Sequence, residues 1–473
     1  MSSANISFDT IPSSLLKPGK YFEFNTKLAV RTLPTNAQKV ILLGQRLATG
    51  QVAALVPTQV FSGDQAALYF GAGSLAHRAA VAAIKANAYV ALTVIGIDDA
   101  VAGVVSKATV TFTGPATADG AYALFIGLDR VDVAVEAAAT AADVAASFAT
   151  AIAQATSLPV TAAAVDGVLT LTAKNKGAAG NSIAVSQLGQ TTGVSAVIVP
   201  FAGGLNDPDI APALAAVFGA SYDIYSLGTP TQEALTKLRT HIDAISHALE
   251  QRPAIAAIGS GVTLATETTL SGQLNAGRIS LGWYPGSVAL PAEISAAYAA
   301  VVASEEDPAR PLNTLPLAGL DVTPVTAWAG RTEQESALHN GVTPFEVGPG
   351  NVVQIVRAVT TYTKDAQGID DPALLDLTTI RTMDYVRKAC RQRIALRFPR
   401  EKLSEKTPPK VRSELLDVLY KLEELEIVEN VEANAGKLIV ERDLQNVNQL
   451  NAAIPCDVVN GLHVFAGRID LIL

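Results

Sequence analysis

The chain is poor in cysteine, in histidine and in charge. Two cysteines in 473 residues, Cys390 and Cys456, can build no disulfide framework and match no spaced metal quartet, so nothing here requires an oxidising compartment. Of the five histidines, His241 and His247 are six apart, which sets them on opposite faces of a helix, and no His-Glu-x-x-His run exists. No metal site and no cofactor are expected. There is no Gly-x-Ser-x-Gly elbow, and neither cysteine has a histidine near it in sequence, so Cys390 reads as a small core residue. Gly44 and Gly50 are followed by no Lys-Ser or Lys-Thr, which excludes a phosphate loop.

Charged residues make up 17% of the chain and apolar ones 49%, too little charge for a disordered protein and enough hydrophobe for a large core. The net charge of −9 argues against nucleic acid or an anionic membrane surface as the main partner. The longest uncharged stretch, Val144 to Val165, is broken by Gln154 and Pro159 and reads as an Ala-rich helix followed by a strand, not a membrane span. Met1 to Ser14 has no basic region followed by an apolar run, which predicts synthesis and residence in a cytoplasm.

What is present is organised. At about 150 residues per domain the length suggests roughly three domains. Residues 1–34, with Pro12, Pro18, Gly19 and the aromatics Tyr21, Phe22 and Phe24, read as an extended arm with one strand. From Lys39 apolar strands alternate with amphipathic helices: Val40 to Leu43 as strand, Gly63 to Phe70 and Leu75 to Ala88 as helices, Tyr89 to Ile95 as strand. The rhythm resumes at Ile224 to Leu227, followed by a helix expected to open with Thr229 as cap and Pro230 at its first position, and by strands at Ala254 to Ile258 and Ile279 to Tyr284. Between them lies a β-rich stretch holding a hairpin, Val160 to Val165 and Val168 to Ala173, joined by Asp166-Gly167. Near the end a hairpin around Val352 to Thr363 precedes helices at about Pro372 to Arg397 and from Thr407, and then strands at Leu438 to Val440 and Leu462 to Leu473.

The expected fold class is therefore an α/β core domain (35–97 and 206–343) with an inserted β-rich α+β domain (98–205), an α+β C-terminal domain (344–458), and extended N-terminal (1–34) and C-terminal (459–473) arms.

Two features stand out for function. Between Arg381 and Arg412 eleven basic residues face three acidic ones, a local +8 that leaves −17 for the remainder of the chain. Such asymmetry is a footprint for a partner of opposite sign, with a plainly solvated helix face as the alternative. At the C-terminus His463, Phe465, Gly467, Ile469, Leu471 and Leu473 fall on one face of the expected strand, and an apolar edge strand needs a partner. Strand addition between chains meets that need, as does pairing of the two terminal strands within one chain. Glu305-Glu306-Asp307 lies before Pro308 and Pro311 and reads as a solvated turn, and Gly259-Ser260-Gly261 as a tight strand-to-helix turn lacking a third glycine.

Several blocks together resemble a known family. Phe8-Asp9-Thr10-Ile11-Pro12 with Pro18-Gly19-Lys20-Tyr21, Ile41 to Leu47 with Gly50, Phe70-Gly71-Ala72-Gly73-Ser74, Arg391-Gln392-Arg393 running into Phe398-Pro399-Arg400 and Lys402-Leu403, and the closing Leu462 to Leu473 are similar, in order, to the tail sheath protein of Mu-like contractile-tailed bacteriophages. The resemblance implies a non-enzymatic structural subunit of the virion, assembled in the host cytoplasm as stacked hexameric rings around a tail tube. It implies as partners further copies of the chain, the tail tube protein, and baseplate and tail terminator proteins. Contraction would release free energy stored at assembly.

The arms, with Tyr21, Phe22, Phe24, Phe465, Ile469 and Leu471, would complete a β-sheet with neighbours. The C-terminal domain would face the tube through Arg381, Arg387, Lys388, Arg391, Arg397, Arg400, Lys402, Lys410 and Arg412, and the insert would lie outside. The sheath of a phage-derived bacteriocin or contractile injection system fits the same residues, and an α/β nucleotide-binding enzyme using the Gly259 turn is the alternative of another class.

Overall fold

In the strand Lys39–Gln45, Val40 and Leu42 face one side, Ile41 and Leu43 the other, and all four are buried. A strand that is apolar on both faces belongs in the middle of a sheet covered by helices on each side. The computed structural model, which describes residues 11, 14–23, 33–188 and 193–472, has that arrangement. Residues 36–386, 426–430 and 456–472 make up one compact unit, and residues 387–425 and 431–455, with the described residues before 36, make up another.

In the larger unit the chain runs through β1 (Lys39–Gln45), β2 (Pro57–Gln59), α1 (Gly63–Phe70), α2 (Leu75–Ala86) and β3 (Ala91–Ile97). It then enters the insert: β4 (Val105–Thr113), β5 (Gly120–Ile126), β6 (Asp129–Val135), α3 (Ala141–Gln154), β7 (Val160–Val165), β8 (Val168–Lys176), β9 (Val185–Leu188) and β10 (Ser195–Ala202). It returns through α4 (Ala211–Ala216), β11 (Ile224–Leu227), α5 (Gln232–Ser246), β12 (Ile255–Ser260), α6 (Leu264–Leu274), β13 (Ile279–Trp283), α7 (Pro291–Ser304), α8 (Arg331–His339), β14 (Val342–Gly348) and β15 (Val352–Ile355).

These strands form one eight-stranded sheet in the order β15-β14-β13-β12-β11-β1-β3-β2, parallel from β14 to β3 and antiparallel at both edges. One face packs on the Ala-rich helices α2 and α7, the other on α4, α5 and α6. Close approach of α2 requires Gly44: a Cβ there would lie 2.8 Å from Ala76 Cα. The insert has its own core, with Phe112 stacked on Phe148 at 5.4 Å and Tyr122 edge-on to both, and two sheets, β10-β4-β8-β7 and β6-β5-β9. Its hairpin turns on Asp166 and Gly167, both at positive φ, as a type I′ turn requires.

Three expectations are corrected. Helix α5 is capped by Thr231, whose Oγ1 accepts from Ala234 N at 3.3 Å, so Thr229 and Pro230 lie before the helix. The hairpin expected around Val352 to Thr363 instead pairs β15 with β14, which places residues 344–348 in the large sheet, past the boundary expected at 343. The helix expected from Pro372 starts at Leu377, because Asp376 is engaged in a bridge to Val359 and in a bidentate pair with Arg357 at 2.9 and 2.8 Å.

Two histidines of this unit are core residues. His241 lies against Tyr225 (3.2 Å to the hydroxyl) and edge-on to Phe218, and burial followed by the nearby Arg252 holds its imidazole down at about 4. His77, at the start of α2, is likewise held at about 4 by burial and then by Arg78 and Lys174. The unfolded chain takes up protons on these rings below about 6.5, the folded chain only near 4, so stability falls as pH drops through that window. Urea titrations between pH 7 and pH 4 should show that loss, and His241→Gln should remove part of it.

Candidate assembly surfaces

The basic segment starts on α9 (Leu377–Arg397), whose first half belongs to the larger unit and second half to the smaller. The smaller unit continues with α10 (Thr407–Glu424), α11 (Val431–Asn434) and the antiparallel pair β16 (Ile439–Arg442) and β17 (Leu450–Ala453). Val411, Leu415, Val418, Leu419 and Leu422 form the buried face of α10, as their helical spacing predicts. Cys390, Ile394, Phe398, Val411, Leu415 and Leu450 are among the residues lining a largely apolar cavity of about 580 Å³ in this unit.

Helix periodicity sorts the cations. Arg381, Tyr385, Ala389 and Arg393 follow one another at four-residue steps on the buried stripe. Arg381 is buried and donates to the carbonyl of Glu305; burial lowers its guanidinium to about 10, against the opposing pull of Glu305 and Asp307. It is therefore corrected from a surface candidate to a structural residue. The carboxylates of Glu305 and Asp307 are its counter-charges, and the Glu305 side chain is only 15% exposed, so this is not simply a solvated turn. Beside it Arg278 grips Asp384 with two bonds at 2.7 and 2.9 Å.

In the smaller unit Arg393 is buried between Glu414 (3.1 Å) and Asp417, and Arg397 lies 3.5 Å from Glu414, tying α9 to α10. Arg412 donates to the carbonyls of Leu438 and Ala435 at 2.9 and 2.6 Å, Lys388 to that of Thr35 at 2.8 Å, and Lys410 pairs with Glu401 at 3.2 Å. Arg391, Arg400, Lys402 and Lys410 are exposed; Arg387, Lys388, Arg397 and Arg412 are half-buried.

Among the described residues the arms form no strand in the single chain. Tyr21 and Phe22 are exposed and outside any strand, while Phe24 lies outside the described residues, as do residues 1–10 and Leu473. The C-terminal segment pairs at one bridge, Val428 with Val458, and is then fixed by His463, whose Nδ1 is 3.0 Å from Asn313 Nδ2 and whose Nε2 is 3.5 Å from Asp376. Beyond it Phe465, Ile469, Leu471 and Ile472 are all more than 80% exposed. The strand expected at 462–473 is thus absent over 462–472: a ladder needs a second strand, and among the described residues none lies alongside. His463, placed in sequence on the free apolar face, is instead the anchor.

The turn proposed for a nucleotide is filled from within. Gly259 N donates to Ser295 Oγ at 2.8 Å, so the amide a phosphate would need is taken. Ser260 Oγ donates to the buried carboxylate of Glu267 at 2.7 Å, which burial raises to about 7. Nothing in the run Leu264 to Leu274 singles out that buried acid in sequence. Among the described residues no group of three or more His, Cys, Asp or Glu is placed to hold a metal ion, and no helix is long and apolar enough to cross a membrane.

The phage tail sheath protein central domain matches residues 203–361, and the phage tail sheath C-terminal domain matches residues 370–472. The Mu-like prophage FluMu tail sheath protein of Haemophilus influenzae is 34% identical over 491 residues, spanning 99% of this chain and 100% of its own. The chain belongs to the phage tail sheath family. This sheath protein shares its fold with the sheath tail protein of Listeria innocua (13% identity, TM-score 0.53, 92% of this chain and 94% of that one). It shares it also with the contracted sheath complex of an extracellular contractile injection system, PVC (9% identity, TM-score 0.51, 98% and 99%). The family is structural, a component of contractile tails, which accords with a Gly259 turn closed by the protein's own groups.

The sheath protein's cations should separate on mutation. Arg381→Ala leaves the Glu305 carbonyl and the half-buried carboxylates of Glu305 and Asp307 without their cation and should cost about 3 kcal/mol, whereas exposed Arg391→Ala should change stability by less than about 0.5 kcal/mol. Equilibrium urea unfolding of the two variants measures both.

Proposed function

We propose that the chain polymerises as stacked hexameric rings around a tail tube and contracts to drive that tube through a host envelope. The observation that carries the reading is an apolar tail, Val464 to Ile472, exposed and, among the described residues, without a strand partner, in a protein that also presents a two-stranded sheet, β16-β17, with no third strand among those residues. In this reading the tail of one copy adds to that sheet on another, with Phe465, Ile469 and Leu471 covering apolar surface beside it. Main-chain pairing of this kind supplies affinity with little dependence on side-chain identity. The N-terminal arm, with Tyr21, Phe22 and Phe24, joins the same sheet.

The exposed cations Arg391, Arg400, Lys402 and Lys410, flanked by the half-buried Arg387, Lys388, Arg397 and Arg412, face an acidic tube surface. Exposed charge pairs are individually weak and screened by salt, which suits a contact that must break on contraction. Baseplate and terminator proteins bound the polymer at its two ends, and the insert lies outward. The likeness to an injection-system sheath favours a second reading, a sheath of a phage-derived bacteriocin or injection machine. Capsid and portal genes beside this one would mark a phage.

Negative-stain electron microscopy tests the arm. The full chain should form tubes or ring stacks, and a variant lacking 464–473 should give discrete particles only; tubes from the truncated chain would sink the strand-addition reading. Charge reversal of Arg391, Lys402 and Lys410 to Glu should weaken co-sedimentation with purified tube at 50 mM salt by about tenfold or more and much less at 500 mM. Unchanged sedimentation would overturn the tube-contact reading of those cations.

A further inference from the structure

The insert leaves the core after Ile97 and returns to it near Leu205, where Val104 and Leu205 form a bridge. Two chain crossings side by side would by themselves make a hinge, and an outer domain on such a hinge would swing. The structure adds contacts from other parts of the insert. Beside the crossing, the Asp99 carboxylate accepts from Gln45 Nε2 at 2.7 Å, from Asn175 Nδ2 at 2.9 Å and from Lys176 N at 2.9 Å. Asn175 Oδ1, at the end of β8, in turn accepts from Leu75 N at 3.0 Å, satisfying one of the open amides of the first turn of α2.

A second contact comes from the loop between α3 and β7. A Cβ on Gly73 would lie 2.1 Å from the Leu158 carbonyl oxygen, so core and insert backbones touch there, and Lys174 Nζ bridges the Ala72 and Thr156 carbonyls at 3.1 and 2.7 Å. A third comes from the other sheet. Arg78 of α2, nine-tenths buried, donates from Nε to Glu293 of α7 at 2.7 Å and from Nη1 to Asp129 at the start of β6. Glu293 is itself fixed by accepting from Leu290 N at 2.8 Å. Finally, Leu75 and Leu290 of the core are members of the insert's hydrophobic cluster, and Leu128 of the insert packs on the core's. A joint that engages both sheets of the insert and a helix-to-strand loop leaves no single axis free.

We propose that residues 98–205 are keyed to the core as one rigid lever and that Arg78 is the residue that positions them. Displacement of the core is then delivered undiminished at the insert, and the insert cannot sample orientations independently of it. Arg78 suits the task because its guanidinium donates in two directions at once, to a carboxylate of the core and to one of the insert, which an ammonium at the same place could not span. Asp129 is the selective point of attack: its side chain is 36% exposed, so its loss removes the charged contact on the insert side while Arg78 keeps Glu293.

The test uses the full chain with Cys390 and Cys456 changed to Ser and nitroxide labels at Thr161→Cys in the insert and Thr240→Cys in the core, both exposed positions. Pulsed dipolar spectroscopy should give one narrow distance in this parent. Asp129→Ala and Arg78→Met should each broaden it measurably, the other contacts of the joint remaining, and Asp129→Glu, which keeps the carboxylate, should restore the narrow one. A broad distribution in the parent would overturn the proposal, as would an Asp129→Ala distribution as narrow as the parent's. Should Arg78→Met fail to fold, the Asp129 pair still decides.

Discussion

A parallel strand buried on both faces cannot exist without cover on each side, and most of the larger unit follows from that requirement. Alternate residues of β1, β3, β11 and β12 go to two separate apolar clusters, one under α2 and α7, the other under α4 to α6. The cover on the first face is built mainly from alanine, which lets helices lie close to the strands and to each other. Because each crossover must carry the chain back for the next parallel strand, long excursions fall at strand ends. The insert begins directly after β3, and its polar attachment, centred on Asp99, Gln45 and Asn175, gathers where β1 and β3 finish.

The smaller unit is organised differently. It has few elements and spends charge on internal contacts: Arg393 and Arg397 on Glu414 and Asp417, Arg412 on two carbonyls, Arg442 on Glu405. A buried pair of this kind adds little net stability but fixes geometry, since breaking it strands a charge. The local excess of positive charge is thus partly structural, and the residues left for a partner are fewer than the sequence count of eleven.

Much of the fold was legible in the sequence where a local rule has one physical outcome. Asp166-Gly167 could only be a tight hairpin because both residues accept positive φ, and Thr407 with the following apolar spacing marked the start of α10. Where two local rules competed the reading slipped, as at Thr229 and Thr231, either of which could cap a helix near Pro230. The candidate surface was less legible. Counting cations does not place them, and only the four-step line through Tyr385 and Ala389 reveals that Arg381 and Arg393 point inward. The arms read in sequence as apolar strands, yet Tyr21, Phe22 and residues 462–472 lie in none, since a strand is a property of a pair and no second member lies alongside among the described residues.

The anchoring of His463 carries a metric consequence. From that fixed point to Ile472 run nine residues, which fully extended reach about 30 Å. A tether of that length has slack: its attachment can be carried through a substantial arc before the backbone is drawn taut, at little cost in energy until then. If the tail adds to a neighbouring copy as proposed, the distance from His463 sets a yardstick for how far apart the two copies can travel without letting go.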